Sequence, residues 1–142
     1  VGSEMCIRDS IQCFGYVTNM DSEHMSVVFD QKFYLNNQSM PGLSAINIDV
    51  ETGTILKKEQ QLNYSTRLAE RFRKQCQKQN GLELSENEWP TEMLRKLLSS
   101  DGGIFFYTPV GLEIGFNYNG VNNQFGWMTA TIKDYEEYLK KM

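Results

Sequence analysis

Hydrophobic and polar residues change their period along this chain, and each change predicts an element. From Ile11 to Thr18 the residues are β-prone, Asn19 to Glu23 supplies polar turn chemistry, and a second run extends from Met25 to Leu35. Within it Val27, Phe29, Gln31 and Phe33 alternate with Val28, Asp30, Lys32 and Tyr34, so the two runs predict a hairpin. Asn36 to Gly42 is polar and predicts a loop, because Pro41 and Gly42 discourage regular structure. Ala45 to Val50 predicts a short strand with Ile46 and Ile48 on one face and Asn47 and Asp49 on the other, closed by a turn at Glu51-Thr52-Gly53.

The period then lengthens. Leu68, Ala69, Phe72 and Cys76 stand at helical spacing in a segment from about Leu62 to Gln79, with Asn63 or Ser65 as cap and Asn80-Gly81 as stop. Ser85-Glu86-Asn87-Glu88 has capping-box spacing, and Pro90 suits the first turn of a short helix through Met93, Leu94, Leu97 and Leu98. Ile104 to Thr108 reads as a strand buried on both sides, and Leu112 to Tyr118 as its hairpin partner. A polar loop at Asn119 to Gln124 leads to a strand at Trp127 to Ile132, and Ile132, Tyr135, Leu139 and Met142 mark a closing helix. Antiparallel runs with two helices inserted and one after them predict an α+β fold, an antiparallel sheet covered on one face.

With 142 residues the chain is the size of one domain, and its 40% hydrophobic content supports a core without help from metal or disulfides. No apolar stretch is long enough to cross a bilayer, and the net charge of −4 disfavours nucleic acid as a partner. Val1 to Ser10 resembles translated sequencing adapter and is set aside, leaving 11–142 as a single domain truncated at its N-terminus. That also removes Cys6, and a bridge between Cys13 and Cys76 stays open beside the reading of Cys76 as a buried thiol.

No catalytic apparatus is recognisable. His24 is the single histidine, in a predicted turn with no nucleophile elbow near it in sequence, which disfavours triad chemistry and zinc alike. Asp30, Asp49, Glu51, Asp101 and Glu113 have the side chains for calcium or glycoside chemistry, but their spacing fits no motif. Gly102-Gly103 and Gly111-x-x-x-Gly115 lack a phosphate cradle's context and read as turns. Arg67, Arg71, Lys74 and Lys78 form a basic row opposite the apolar stripe of the first helix, read as a solvated face. Tyr107, Tyr118, Phe125, Trp127, Tyr135 and Tyr138 make the last third aromatic, and those near the 119–126 loop are candidates for an exposed anchor.

The stretch Phe105 to Tyr118 resembles the F-x-L-T-x-x-G-L-x-F-x-F-x-x-Y motif of an extracytoplasmic domain that ends the RsiV anti-sigma factor and PdaC-type peptidoglycan deacetylases. Ser26-Val27, Asn47 to Gly53 (the family's N-F-D-x-x-T-G) and Gly126 to Ile132 followed by Tyr135 match in the same order. The chain departs from the family at Asn36 to Gly42, where many relatives carry G-G-A-H, and at Lys133-Asp134, where they carry proline. The resemblance implies a bacterial envelope setting, periplasmic or membrane-anchored, for instance in a lipoprotein. It also implies an accessory or sensing role, with a protein such as lysozyme or a peptidoglycan-related ligand as partner; no cofactor or metal is expected from the residues themselves.

Together these readings give a non-catalytic binding module using the loops 36–42 and 119–126, with Asn37, Met40, Asn122, Phe125 and Trp127 as contact residues. Two alternatives stand beside it. A carboxylate-based hydrolase requires two of the five acidic residues to converge. A structural domain packing on a missing upstream domain requires a contiguous exposed apolar patch near Ile11 to Tyr16.

Overall fold

The computed structural model describes residues 10–35, 38–118 and 126–140. Its elements run β1 (Ser10–Met20), β2 (His24–Leu35), β3 (Gln38–Asp49), α1 (Lys58–Gln61), α2 (Thr66–Asn80), α3 (Thr91–Ser99), β4 (Gly103–Thr108), β5 (Gly111–Asn117), β6 (Trp127–Ile132) and a 3-10 turn, Tyr135–Tyr138. The class is α+β with antiparallel strands, as expected, but the strands form two three-stranded sheets, β1-β2-β3 and β4-β5-β6, rather than one.

Asp21 makes the first hairpin. Its carboxylate accepts the amides of Glu23 and His24 at 2.8 Å each, while Asn19 donates to that carboxylate and to the His24 carbonyl. β1 then pairs with β2 from Met20↔Met25 to Ser10↔Tyr34, so the strand begins one residue inside the segment set aside from the sequence. β2 pairs with β3 without interruption from His24↔Asp49 to Leu35↔Gln38. The loop expected over 36–42 is therefore mostly strand. Pro41 is tolerated because β3 is an edge strand, where a missing N–H breaks no ladder on the outer side. Asp49 closes the following turn by accepting the Glu51 and Thr52 amides, and Gly53 takes the expected positive φ of 72°.

The Ser65 hydroxyl caps α2 by accepting the Leu68 amide, and Gly81, at φ 66°, ends it with its N–H on Gln77 and the Leu82 N–H on Cys76. Leu68, Ala69, Phe72 and Cys76 are all buried, as their spacing predicts. The Ser85 hydroxyl does accept the Glu88 amide, yet it caps a turn and not a helix, and α3 begins after Pro90. Leu94 and Leu98 of α3 join Phe72, Trp89, Ile114 and Phe116 in the main core, between the two longer helices and the second sheet. The closing helix is a single 3-10 turn, held where Leu62 bridges Leu139 and where Asn63 donates to the Tyr138 carbonyl.

β4 is buried on both sides. Phe105 and Tyr107 point to the helices, while Ile104 and Phe106 meet Val28 and Leu43 of the first sheet in a second, smaller cluster. β5 carries Gly115 in mid-strand, not in a turn, because Met128 and Thr129 of β6 come too close for any Cβ.

The two sheets meet through polar side chains. β4 is an edge strand, and its free backbone groups are met from across the junction: Ser26 Oγ accepts the Tyr107 amide at 2.9 Å, Asn47 Nδ2 donates to the Phe105 carbonyl at 2.7 Å, and Thr18 donates to the Tyr107 carbonyl at 2.9 Å. Asn117 reaches back, bonding both the N–H and the carbonyl of Leu43. Buried backbone groups require partners, so the polar residues of β2 and β3 face inward. Of the two faces that alternation separates on β3, the one with Asn47 is therefore buried, and Ile46 on the other is open to water.

Candidate protein-docking surface

Cross-strand partners in a sheet project to the same face, and the register places Ser26, Val28, Leu43 and Asn47 against β4. The alternate residues form the outer face. Across it lie three apolar rows: Ile11, Phe33 and Met40; Val17, Val27 and Ile46; Met20, Met25 and Ile48. Phe29 adds its ring over Gly15, which leaves the space for it. None of these residues is charged, and the helices make at most marginal contact with the first sheet.

Exposure is greatest on β1. Ile11 is 65%, Phe14 71% and Met20 69% accessible, and Tyr16 and Val17 are also exposed. These positions lie on both faces of the strand, because β1 projects beyond the second sheet until Thr18 and Asn19 reach the junction. A bulge between Val17 and Asn19 marks that change.

Of the five proposed contact residues the structure describes two, Met40 and Trp127. Asn37, Asn122 and Phe125 lie outside the described residues. Met40 is a β3 residue on the outer face, whereas Trp127 opens β6 and packs half-buried against the small cluster on the inner side. The other aromatics of the last third are mostly core: Tyr107 and Tyr138 are buried, and Tyr118 and Tyr135 pack on the main cluster.

His24 is not a turn residue but the first of β2, half-buried with its ring stacked on Tyr107 at 3.9 Å. Burial, with Tyr135 and Glu23 contributing after it, pushes the Tyr107 phenol up to about 12. The five acidic candidates have separate employments. Asp49 caps its turn, Glu113 accepts the hydroxyls of Thr129 and Thr131 across β5 and β6, and Asp30 stands between Phe14 and Leu43. Asp101 lines a cleft of about 460 Å³ beside Lys57, Lys58 and Asn117, and Glu51 is exposed in the turn. Among the described residues no three His, Cys, Asp or Glu side chains gather to hold a metal ion. Cys13 and Cys76 are both free, the first exposed on β1 and the second in the core.

The basic row of α2 borders two open grooves of about 610 and 560 Å³ that share Arg71, Gln75 and Lys78. Arg71 is paired with Asp134 at 2.7 Å and Arg67 with Glu137 at 3.5 Å, which reduces the free charge of the row. Arg73, which belongs to neither stripe, was not legible as a key residue. It grips the carbonyls of Leu84 and Trp89, Glu86 and the Thr91 hydroxyl, tying the 82–90 segment to α2.

No family model matches the chain, and no curated protein matches it. Solved structures do. A DUF3298 family member from Bacteroides fragilis superposes with a TM-score of 0.61 at 14% identity, over 93% of this chain and 55% of that one. A DUF3298 family protein from Pseudomonas aeruginosa gives the same TM-score at 12% identity, over 93% of this chain and 62% of the other. The chain thus spans a little over half the length of these two, and it shares its fold with proteins of a domain family of unknown function.

Proposed function

We propose that this domain is a non-catalytic binding module whose docking surface is the outer face of the first sheet, and that its partner is a protein. The uncovered, uncharged apolar face carries the reading: monomeric soluble domains rarely leave so many neighbouring apolar side chains to water without a use for them. A flat face of aliphatic and Met side chains complements another protein surface better than a hydrophilic glycan, which favours the protein over the peptidoglycan-related ligand. The RsiV-like and PdaC-like motifs add the setting, an extracytoplasmic position in a bacterial envelope, and lysozyme as the first partner to try.

The test is calorimetric titration of the chain with lysozyme and, separately, with soluble peptidoglycan fragments. Saturable lysozyme binding that disappears in Ile46→Glu, with an unchanged circular dichroism spectrum, supports the reading. Binding of the glycan alone, indifferent to Ile46→Glu, would reject the face as the site.

A second reading draws on the same exposure together with the greater length of the two solved neighbours. In it the outer face packs against a further part of a longer polypeptide, and the domain's role is structural. Of the stretch Ile11 to Tyr16 that this alternative requires, Ile11 is exposed on that outer face, and Phe14 and Tyr16 are exposed on the opposite face of β1.

A further inference from the structure

The two edges of the first sheet are finished differently. On β3 the outer edge is occupied: Pro41 has no N–H to offer, Leu43 is bonded at both backbone groups by Asn117, and the Asn47 carbonyl accepts the Leu56 amide at 2.8 Å. Ile48 bridges Ile55, and Asp49 donates to the Thr54 carbonyl at 2.9 Å. On β1 nothing of the kind is present among the described residues. From Ser10 to Val17 the strand pairs only with β2, and the run Ile11-Gln12-Cys13-Phe14-Gly15-Tyr16-Val17 contains neither a charge nor a proline. Natural edge strands are normally guarded by one or the other, because open backbone groups recruit a further strand.

We infer that the β1 edge is a strand-pairing surface and that its occupant is β1 of a second copy of this chain, giving a continuous six-stranded antiparallel sheet across a two-fold axis. The argument for a second copy is self-complementarity. About a dyad at Phe14, Ile11 faces Val17 of the other copy, Gln12 faces Tyr16, Cys13 faces Gly15 and Phe14 faces itself. Every facing pair is then free of charge, and the glycine itself meets the small side chain of Cys13. Charged neighbours would forbid such pairing in a chain of net charge −4, and the strand has none. Two such strand edges with their flanking side chains bury on the order of 1,000 Å², the low end for a specific interface, so the dimer is expected to be reversible. This inference rests on reading the first sheet as a docking surface, but it uses the edge of that sheet and leaves the outer face open.

Sedimentation equilibrium of the whole chain tests it, with hydrogen exchange of the β1 amides measured at high and low protein concentration. The expected result is a monomer–dimer equilibrium in which amides of β1 lose protection on dilution. Phe14→Lys sets two like charges at the dyad and is expected to raise the dissociation constant about a hundredfold or more. Phe14 touches water in the monomer, so this variant should fold; Ile55→Lys, also exposed but remote from β1 in sequence, should leave the equilibrium unchanged. A wild type that stays monomeric overturns the inference, as does a dimer that survives Phe14→Lys. Ile46→Glu separates the two proposals: it removes partner binding on the outer face but should leave this dimer intact.

Discussion

The second sheet has Phe72, Trp89 and Leu94 packed on its helical side and Val28 and Leu43 against β4 on the other, whereas the first sheet has one face on β4 and the other open to water. Both are three antiparallel strands with apolar residues on both faces. Apolar character therefore does not distinguish a face that closes the fold from one kept for something else; only the surrounding elements do. The helices were placed by the chain between the sheets, and they cover the later one.

The largest expected contrast comes from truncating the same side chain in both places. Phe72→Ala empties a fully buried position in the main core and should cost about 3–5 kcal/mol in a denaturant titration. Phe14→Ala removes a ring already in water, and the monomer's stability should move by less than about 0.5 kcal/mol. Equal losses at both sites would mean that Phe14 is covered and that β1 does not project into water there.

The junction between the sheets should respond next. Ser26→Ala leaves the Tyr107 amide buried without its partner and is expected to cost about 1–3 kcal/mol, with faster exchange of that amide as its direct signature. Unchanged exchange at Tyr107 would show that the contact between sheets does not depend on the hydroxyl.

How much of this was legible follows from the same junction. β4 to β6 were readable because their signals are local: a Pro-Val-Gly turn, alternation at Leu112, Ile114 and Phe116, and a β-prone run at Trp127 to Ile132. The first sheet's strands were readable too, but not its faces. Ser26 and Asn47 point inward to meet backbone groups of a strand about 60 to 80 residues later, a demand that no local window contains. Pro41 and Gly42 read as a loop because edge position, which excuses a proline, is a tertiary fact. Of the candidate contact residues, Met40 went into a strand and Trp127 into a cluster. The outer face meets the packing alternative's stretch, Ile11 to Tyr16, at Ile11, while Phe14 and Tyr16 are exposed on the other side of β1.

The two free thiols sharpen the comparison chemically. Burial, and after it the nearby Glu113 carboxylate, pushes the Cys76 thiol from 9.0 up to about 12. Because the folded value is raised, the neutral thiol's contribution is complete below about pH 9 and is lost as pH rises towards 12. In the folded protein at pH 8, Cys13 should react with a maleimide while Cys76 reacts only on unfolding, as read by peptide mass spectrometry. Labelling of Cys76 at a similar rate to Cys13 would mean that the main core opens as readily as β1 meets solvent.

The smallest effect belongs to the turn that starts the open sheet. The His24 amide, then the Glu23 amide and the Asn19 side chain, hold the Asp21 carboxyl below its usual range. A lowered value in the folded state means that Asp21 adds stability above its ordinary pKa near 3.8, and that this stability is lost as pH falls through the folded value. Asp21→Asn keeps an acceptor oxygen but removes the charge, so the variant should unfold at a lower urea concentration than the wild type at pH 6. The two midpoints should converge as the solution is acidified below about pH 3. A gap that persists unchanged in acid would assign the turn's contribution to shape and not to charge. The junction side chains Ser26 and Asn47, which carry no charge, would then be what anchors the hairpin at its closed end.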